Sequence, residues 1–154
     1  MAASTLAELP GWARELIERA PVAHLGLLDS DDRPRVLPVT FALCEGELWS
    51  AVDHKPKRAP GRELARVRWL RRNPAAALTV DRYSDDWEWL AWVQALGAVE
   101  VLDDPAPAAI EALRDKYPQY RERAPAGPFL RLVPERALCW RAKPRTTSTG
   151  SDPL

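Results

Sequence analysis

The sequence predicts a mainly β domain, a barrel with helices at its periphery, and three observations predict it. Short apolar runs are separated by turn signals at Asp29 to Pro34, Glu45-Gly46 and Tyr83 to Asp86. Apolar residues fall at helical spacing in only three places, near residues 6–19, 62–72 and 105–116. The longest strand-like run, residues 87–102, carries apolar bulk on both faces: Trp87, Trp89, Ala91, Val93, Ala95, Gly97 and Val99 on one, Trp92 and Leu96 beside Gln94 on the other. A barrel strand with a core on one side and a partner or ligand on the other has this character.

In chain order, Leu9, Trp12, Leu16 and Ile17 recur at helical spacing between charged residues, giving an N-terminal helix within 6–19 that starts near Pro10. Residues 22–28 read as a strand, the Asp29 to Pro34 turn leads into a second strand at 35–41, and Glu45-Gly46 turns the chain into a third at 48–52. Three consecutive antiparallel strands are expected. Ala59-Pro60-Gly61 opens a helix over 62–72 with Leu64, Val67 and Leu70 on its apolar face, and Asn73-Pro74 ends it, because a residue before proline is pushed out of helical geometry. Strands follow at 76–82 and 87–102. Asp103-Asp104-Pro105 opens a helix reaching about Lys116, 119–128 is irregular, and 129–133 with 137–141 supply a closing strand or strand pair. One domain over 1–142 and a flexible tail over 143–154 complete the organisation.

Composition narrows the function. Lys plus Arg and Asp plus Glu both total 22, so there is no global field to draw nucleic acid or an anionic membrane. The N-terminus has no long apolar run, which points to a cytoplasmic protein. Cys44 and Cys139 are too few and too far apart for a disulfide scaffold and read as buried thiols. His24 and His54 have no partner at metal-ligand spacing, so no metal site is expected. G-x-S-x-G, H-E-x-x-H, a Walker loop and G-x-G-x-x-G are all absent, which removes the usual nucleophile, zinc and Rossmann explanations. Redox chemistry on a flavin-like ring needs few side-chain motifs, since the cofactor carries the hydride.

Positive charge must act locally, and it gathers after the third strand. In Asp53-His54-Lys55-Pro56-Lys57-Arg58, three cations fall within four residues, a set able to hold a phosphate or to form a solvated turn. Arg62 and Arg66 follow on the basic helix, where solubility is the plain alternative to anion binding. Three tryptophans in the six residues from Trp87 to Trp92 serve either core and dimer packing or ring stacking in a ligand pocket.

The order of these motifs, with the D-x-D-D-R-P turn, R-V-L-P-V-T-F, E-G-E-L-W-S-A, K-P-K-R, R-R-N-P, A-A-A-L-T-V and the Trp-rich strand, resembles the pyridoxamine-phosphate-oxidase-like split β-barrel family over about residues 21–142. The D-H-K-P-K-R and D-R-Y-S-D-D-W segments resemble its branch of deazaflavin (coenzyme F420)-dependent oxidoreductases. The resemblance implies an FMN-binding-like split barrel, homodimeric, with the cofactor ring against Pro38, Val39, Thr40, Ala51 and Val52. It places the phosphate on Lys57 and Arg58, with Lys55 and Arg62 as neighbours, and gives Trp87 and Trp92 to the substrate pocket. The implied activity is hydride transfer between coenzyme F420 and a small organic substrate. An FMN-dependent oxidase or reductase is the nearest alternative, and a non-catalytic flavin or haem carrier is the alternative of another class. The insert between K-P-K-R and R-R-N-P is longer than the commoner family pattern.

Overall fold

A computed structural model describes residues 1–52 and 64–143. Its backbone is a pair of long antiparallel strands, β7 (Ala91–Leu102) and β8 (Phe129–Arg141), paired from Ala91↔Arg141 to Leu102↔Phe129. The closing element is thus one strand. Its register shifts between Leu96 and Gly97, which face Arg136 and Pro134, leaving Glu135 without an opposite residue. Pro134 has no N–H for the ladder, so a bulge is where it fits.

The remaining strands are β1 (Ala2–Ala3), β2 (Ala23–Leu28), β3 (Pro34–Val39), β4 (Ala42–Cys44), β5 (Glu47–Ala51) and β6 (Ala75–Arg82). They join into one antiparallel sheet of order β3-β2-β6-β7-β8-β5-β4, with β1 pairing the far half of β8. The expected third-strand pairing is corrected here. β3 pairs β2 and β5 pairs β8, and the chain passes between them through β4, which lies at the opposite end of the sheet from β3.

That passage closes the barrel. Across seven flat strands the two ends would stand roughly 29 Å apart, yet only Thr40 and Phe41 separate Val39 from Ala42, a reach of about 11 Å. The sheet must curl until β3 and β4 meet. Phe41 at this junction is wholly buried, packed into a core with Ile17, Leu25, Leu48, Val80 and Val93.

Local chemistry fixes the turns. Asp29 accepts from the backbone N–H groups of Asp31 and Arg33 at 2.9 and 3.0 Å, and Asp32 takes a left-handed φ of 58°, which a short acidic side chain tolerates. The Arg33 N–H is the chief reason the Asp29 carboxyl is held below its ordinary pKa. Glu45 and Gly46 both have positive φ, 52° and 79°, as a tight hairpin between β4 and β5 demands.

Helix α1 (Gly11–Arg19) starts after Pro10, as its spacing predicts, and buries Ala13 and Ile17; a short 3-10 turn, Leu6–Glu8, precedes it. Helix α2 (Ala65–Arg72) buries Val67 and Leu70 and ends at Asn73. Helix α3 (Pro107–Lys116) begins later than the acidic pair suggests, at the second of two prolines, because Pro107 is already preset for the first helical position. Part of the stretch expected to be irregular is a further helix, α4 (Pro118–Glu122). α3 and α4 pack outside the barrel in a second cluster, where Leu113 and Tyr120 meet Trp49 and Phe129.

The long strand also starts later than its alternation predicts. Trp87–Trp89 is a 3-10 turn, because Asp86 accepts from the Glu88 N–H and the Leu90 N–H closes back on the Trp87 carbonyl. Cys139 is buried and Cys44 half-buried, and both are free thiols. Among the described residues, no helix is long and apolar enough to cross a membrane.

Candidate functional site: a cavity at the barrel junction

Where β3 runs into the junction, the described residues surround a cavity of about 220 Å³. Pro38, Val39 and Thr40 line it from β3 and the junction, Ser50 and Ala51 from β5, with Val22 before β2 and Arg66 on α2 completing the wall. Apolar surface therefore meets a few placed polar groups, the usual make-up of a small-molecule site. The part enclosed by the described residues is smaller than the roughly 300–1,000 Å³ typical for a drug-sized ligand, a size that suits one flat ring system.

The two hydroxyls of the wall are tied down. Ser50 is buried, and its hydroxyl donates to the Thr40 carbonyl at 2.6 Å. The Thr40 hydroxyl meets the Tyr120 hydroxyl at 2.9 Å, reaching from the barrel to α4. Tyr117, between α3 and α4, accepts from the Phe41 N–H at 2.9 Å and lies 2.9 and 3.0 Å from the Pro21 and Phe41 carbonyls. Burial pushes the Tyr117 phenol above its ordinary pKa, which keeps it a neutral donor. Two tyrosines thus fix the backbone and side chain of the junction from outside.

Arg66 differs from these. Its Nε is buried and has no hydrogen-bond partner among the described residues. Its guanidinium still brings positive charge to the cavity wall, and a charged donor of this kind suits an anionic group on a ligand.

Of the sequence-predicted residues, Pro38, Val39, Thr40 and Ala51 come together here. Val52 is buried one step beyond Ala51, its N–H donating to the Pro128 carbonyl at 3.1 Å. Lys55, Lys57, Arg58 and Arg62 lie outside the described residues, in the segment between β5 and α2. Trp87 and Trp92 do not line this cavity. Trp87 is 71% exposed in its 3-10 turn, and Trp92 is paired with Trp140 across β7 and β8, both tryptophans being exposed. Sequence reasoning did not single out Ser50, although one hydroxyl within the apolar run Leu48 to Val52 was a signal that a buried polar group needs a partner. Tyr117 and Tyr120 had no signal, since their contacts cross 76 and 80 residues of sequence. Among the described residues, no three His, Cys, Asp or Glu side chains gather to hold a metal ion.

A curled antiparallel sheet closed through Thr40 and Phe41, with helices outside and a small cavity at the closure, defines a split-barrel protein. The family model for pyridoxamine 5'-phosphate oxidase matches residues 9–143, and the chain belongs to that family. No curated protein matches it in sequence. Among solved structures, a conserved hypothetical protein from Mycobacterium tuberculosis superposes with a TM-score of 0.69 at 17% identity, covering 90% of this chain and 88% of that one. A heme binding protein from Mycobacterium smegmatis gives 0.66 at 20%, covering 89% and 57%. An F420 reductase gives 0.60 at 23%, covering 86% and 98%. These likenesses carry the fold.

Proposed function

We propose that this chain is an oxidoreductase dependent on coenzyme F420, moving a hydride between the deazaflavin and a small organic substrate. The observation that carries the reading is the junction cavity, of a size that suits one flat ring and lined by the cationic side chain of Arg66. The fold shared with an F420 reductase supports it. In this reading Pro38, Val39, Thr40, Ala51 and Val52 form the bed for the ring, and Lys55, Lys57, Arg58, Arg62 and Arg66 take its phosphate and acidic tail. The bound coenzyme supplies the hydride chemistry. The protein orients the ring on the β3 and β5 backbones and keeps water from its buried edge.

β3, which lines the cavity, is an end strand of the sheet exposed on most positions, with Val36 67% and neighbouring Val22 44% exposed. A second copy of the chain covers this edge in the proposed assembly, an isologous homodimer. Trp87 and Trp92 stand outside the cavity, and we retain them as the proposed apolar wall of the substrate side that such a dimer completes. FMN is the alternative occupant, because it offers the same flat ring and phosphate. A non-catalytic haem carrier is the alternative of another class, on a fold shared with a heme binding protein.

Catalysis is tested by supplying reduced F420 with a panel of quinones, enones and nitroaromatics and following oxidation of the coenzyme. Turnover above the protein-free rate with any of them supports an enzyme. Tight binding without turnover across the panel makes the protein a carrier.

A further inference from the structure

We propose that Ser50 and Thr40 form a two-point reader for a cis-amide edge, an N–H beside a C=O on a flat heterocycle, and that Tyr120 is the positioning residue that sets its polarity. The proposal deepens the reading that this cavity takes a cofactor ring. A serine hydroxyl has one proton, and in Ser50 that proton is committed to the Thr40 carbonyl at 2.6 Å. What Ser50 offers the cavity is therefore lone pairs, and it accepts.

Thr40 has the opposite character. Its oxygen lies 2.9 Å from the hydroxyl of Tyr120, a residue 6% exposed. A phenol is a far stronger acid than an aliphatic alcohol, so Tyr120 donates and Thr40 accepts, which leaves the Thr40 proton for the cavity. One acceptor, from β5, and one donor, from the junction, then line the same cavity, with Val22, Pro38, Val39 and Ala51 as apolar surface for the ring faces. A carboxylate leaves the Ser50 acceptor unmatched, so an anionic group of the ligand falls to Arg66 and not to this pair. A lactam or imide satisfies both. Tyr120 is held from behind by the cluster containing Trp49, Leu113 and Phe129, so its hydroxyl is a fixed point.

The test uses lumiflavin, a tail-less tricyclic imide whose only ring N–H is at N3, and its N3-methyl derivative, titrated by ligand fluorescence. Methylation is expected to weaken binding to the unmodified protein at least tenfold and to Ser50→Ala less than twofold. Tyr120→Phe should weaken lumiflavin binding about fivefold or more, with no further loss when added to Thr40→Val, because it acts through Thr40. Equal methylation penalties in unmodified protein and Ser50→Ala, additive losses for Tyr120 and Thr40, or no lumiflavin binding overturns the proposal. A protein that shows the expected pattern yet takes neither F420 nor FMN keeps the reader and loses the cofactor assignment.

Discussion

Lys116 holds its ammonium 3.6 Å from the centroid of the Phe41 ring, pressing α3 onto the junction that closes the barrel. Its second contact is the Ile17 carbonyl at 3.4 Å. That oxygen is available near the end of α1 because the residue four further on is Pro21, which has no N–H to return the helical bond. Burial lowers the Lys116 pKa from 10.5 to about 8.

This gives a pH dependence with a definite sign. Between about pH 8 and 10.5 the unfolded chain binds more protons at Lys116 than the folded one, so stability rises with pH across that window and the penalty of burying the charge is fully present below it. Because the amine is partly solvated, the contribution is discounted to about 1 kcal/mol. Urea denaturation should show the unmodified protein gaining about that much relative to Lys116→Met from pH 8 to 10.5. Parallel pH profiles contradict it.

Gly97 is required by a close approach. A Cβ there would stand 2.0 Å from the Val133 carbonyl oxygen and 3.0 Å from its carbon, both backbone atoms. Gly97→Ala must therefore push β7 off the bulged part of β8, at a cost of about 3 kcal/mol or more. Thermal denaturation measures it, and a variant within about 0.5 kcal/mol of the parent shows that the bulge yields freely.

These cases show what the sequence makes legible. Strand runs and turn chemistry gave most of the elements, and the resemblance gave the split barrel. The polar turn at Asp29 to Pro34 and the Glu45-Gly46 hairpin carry their own local signals. The start of β7 was misplaced because Trp87 and Trp89 continue the alternation, while the competing 3-10 turn rests on one Asp86 carboxylate and the Leu90 N–H. The β3-to-β4 passage was missed because an apolar residue such as Phe41 reads equally as the end of a strand or as the corner of a barrel. At the cavity, neighbouring residues of β3 and β5 are readable, whereas Arg66 reads in the sequence only as one arginine of a basic helix and the Tyr117 and Tyr120 contacts exist only through the fold.

The cation segment is tested on ligand affinity. Lys57→Ala with Arg58→Ala should weaken F420 and FMN alike, each lost charge-assisted contact costing about 1.5–3 kcal/mol. Neutralising Arg62 and Arg66 together should weaken F420 more than FMN and flatten the salt dependence of F420 binding, since only F420 carries the acidic tail. Equal losses for both ligands in the second variant assign those arginines to the shared phosphate or to folding. Unchanged affinity in the first removes the phosphate site from this segment.

Assembly is tested by sedimentation at micromolar concentration. A dimer is expected, and Val36→Glu on the exposed edge strand should weaken it without unfolding the chain, because Val36 is 67% exposed in the single chain. A monomer that still binds cofactor contradicts the shared cleft.

The most direct test of the central claim is a parallel titration of the purified protein with coenzyme F420 and with FMN, followed by quenching of tryptophan fluorescence and repeated by calorimetry. The account predicts saturable binding of F420 at least tenfold tighter than FMN, a difference of about 1.4 kcal/mol. FMN binding more tightly than F420 would contradict the cofactor assignment, and the absence of binding by either would contradict the reading of the junction cavity as a cofactor site.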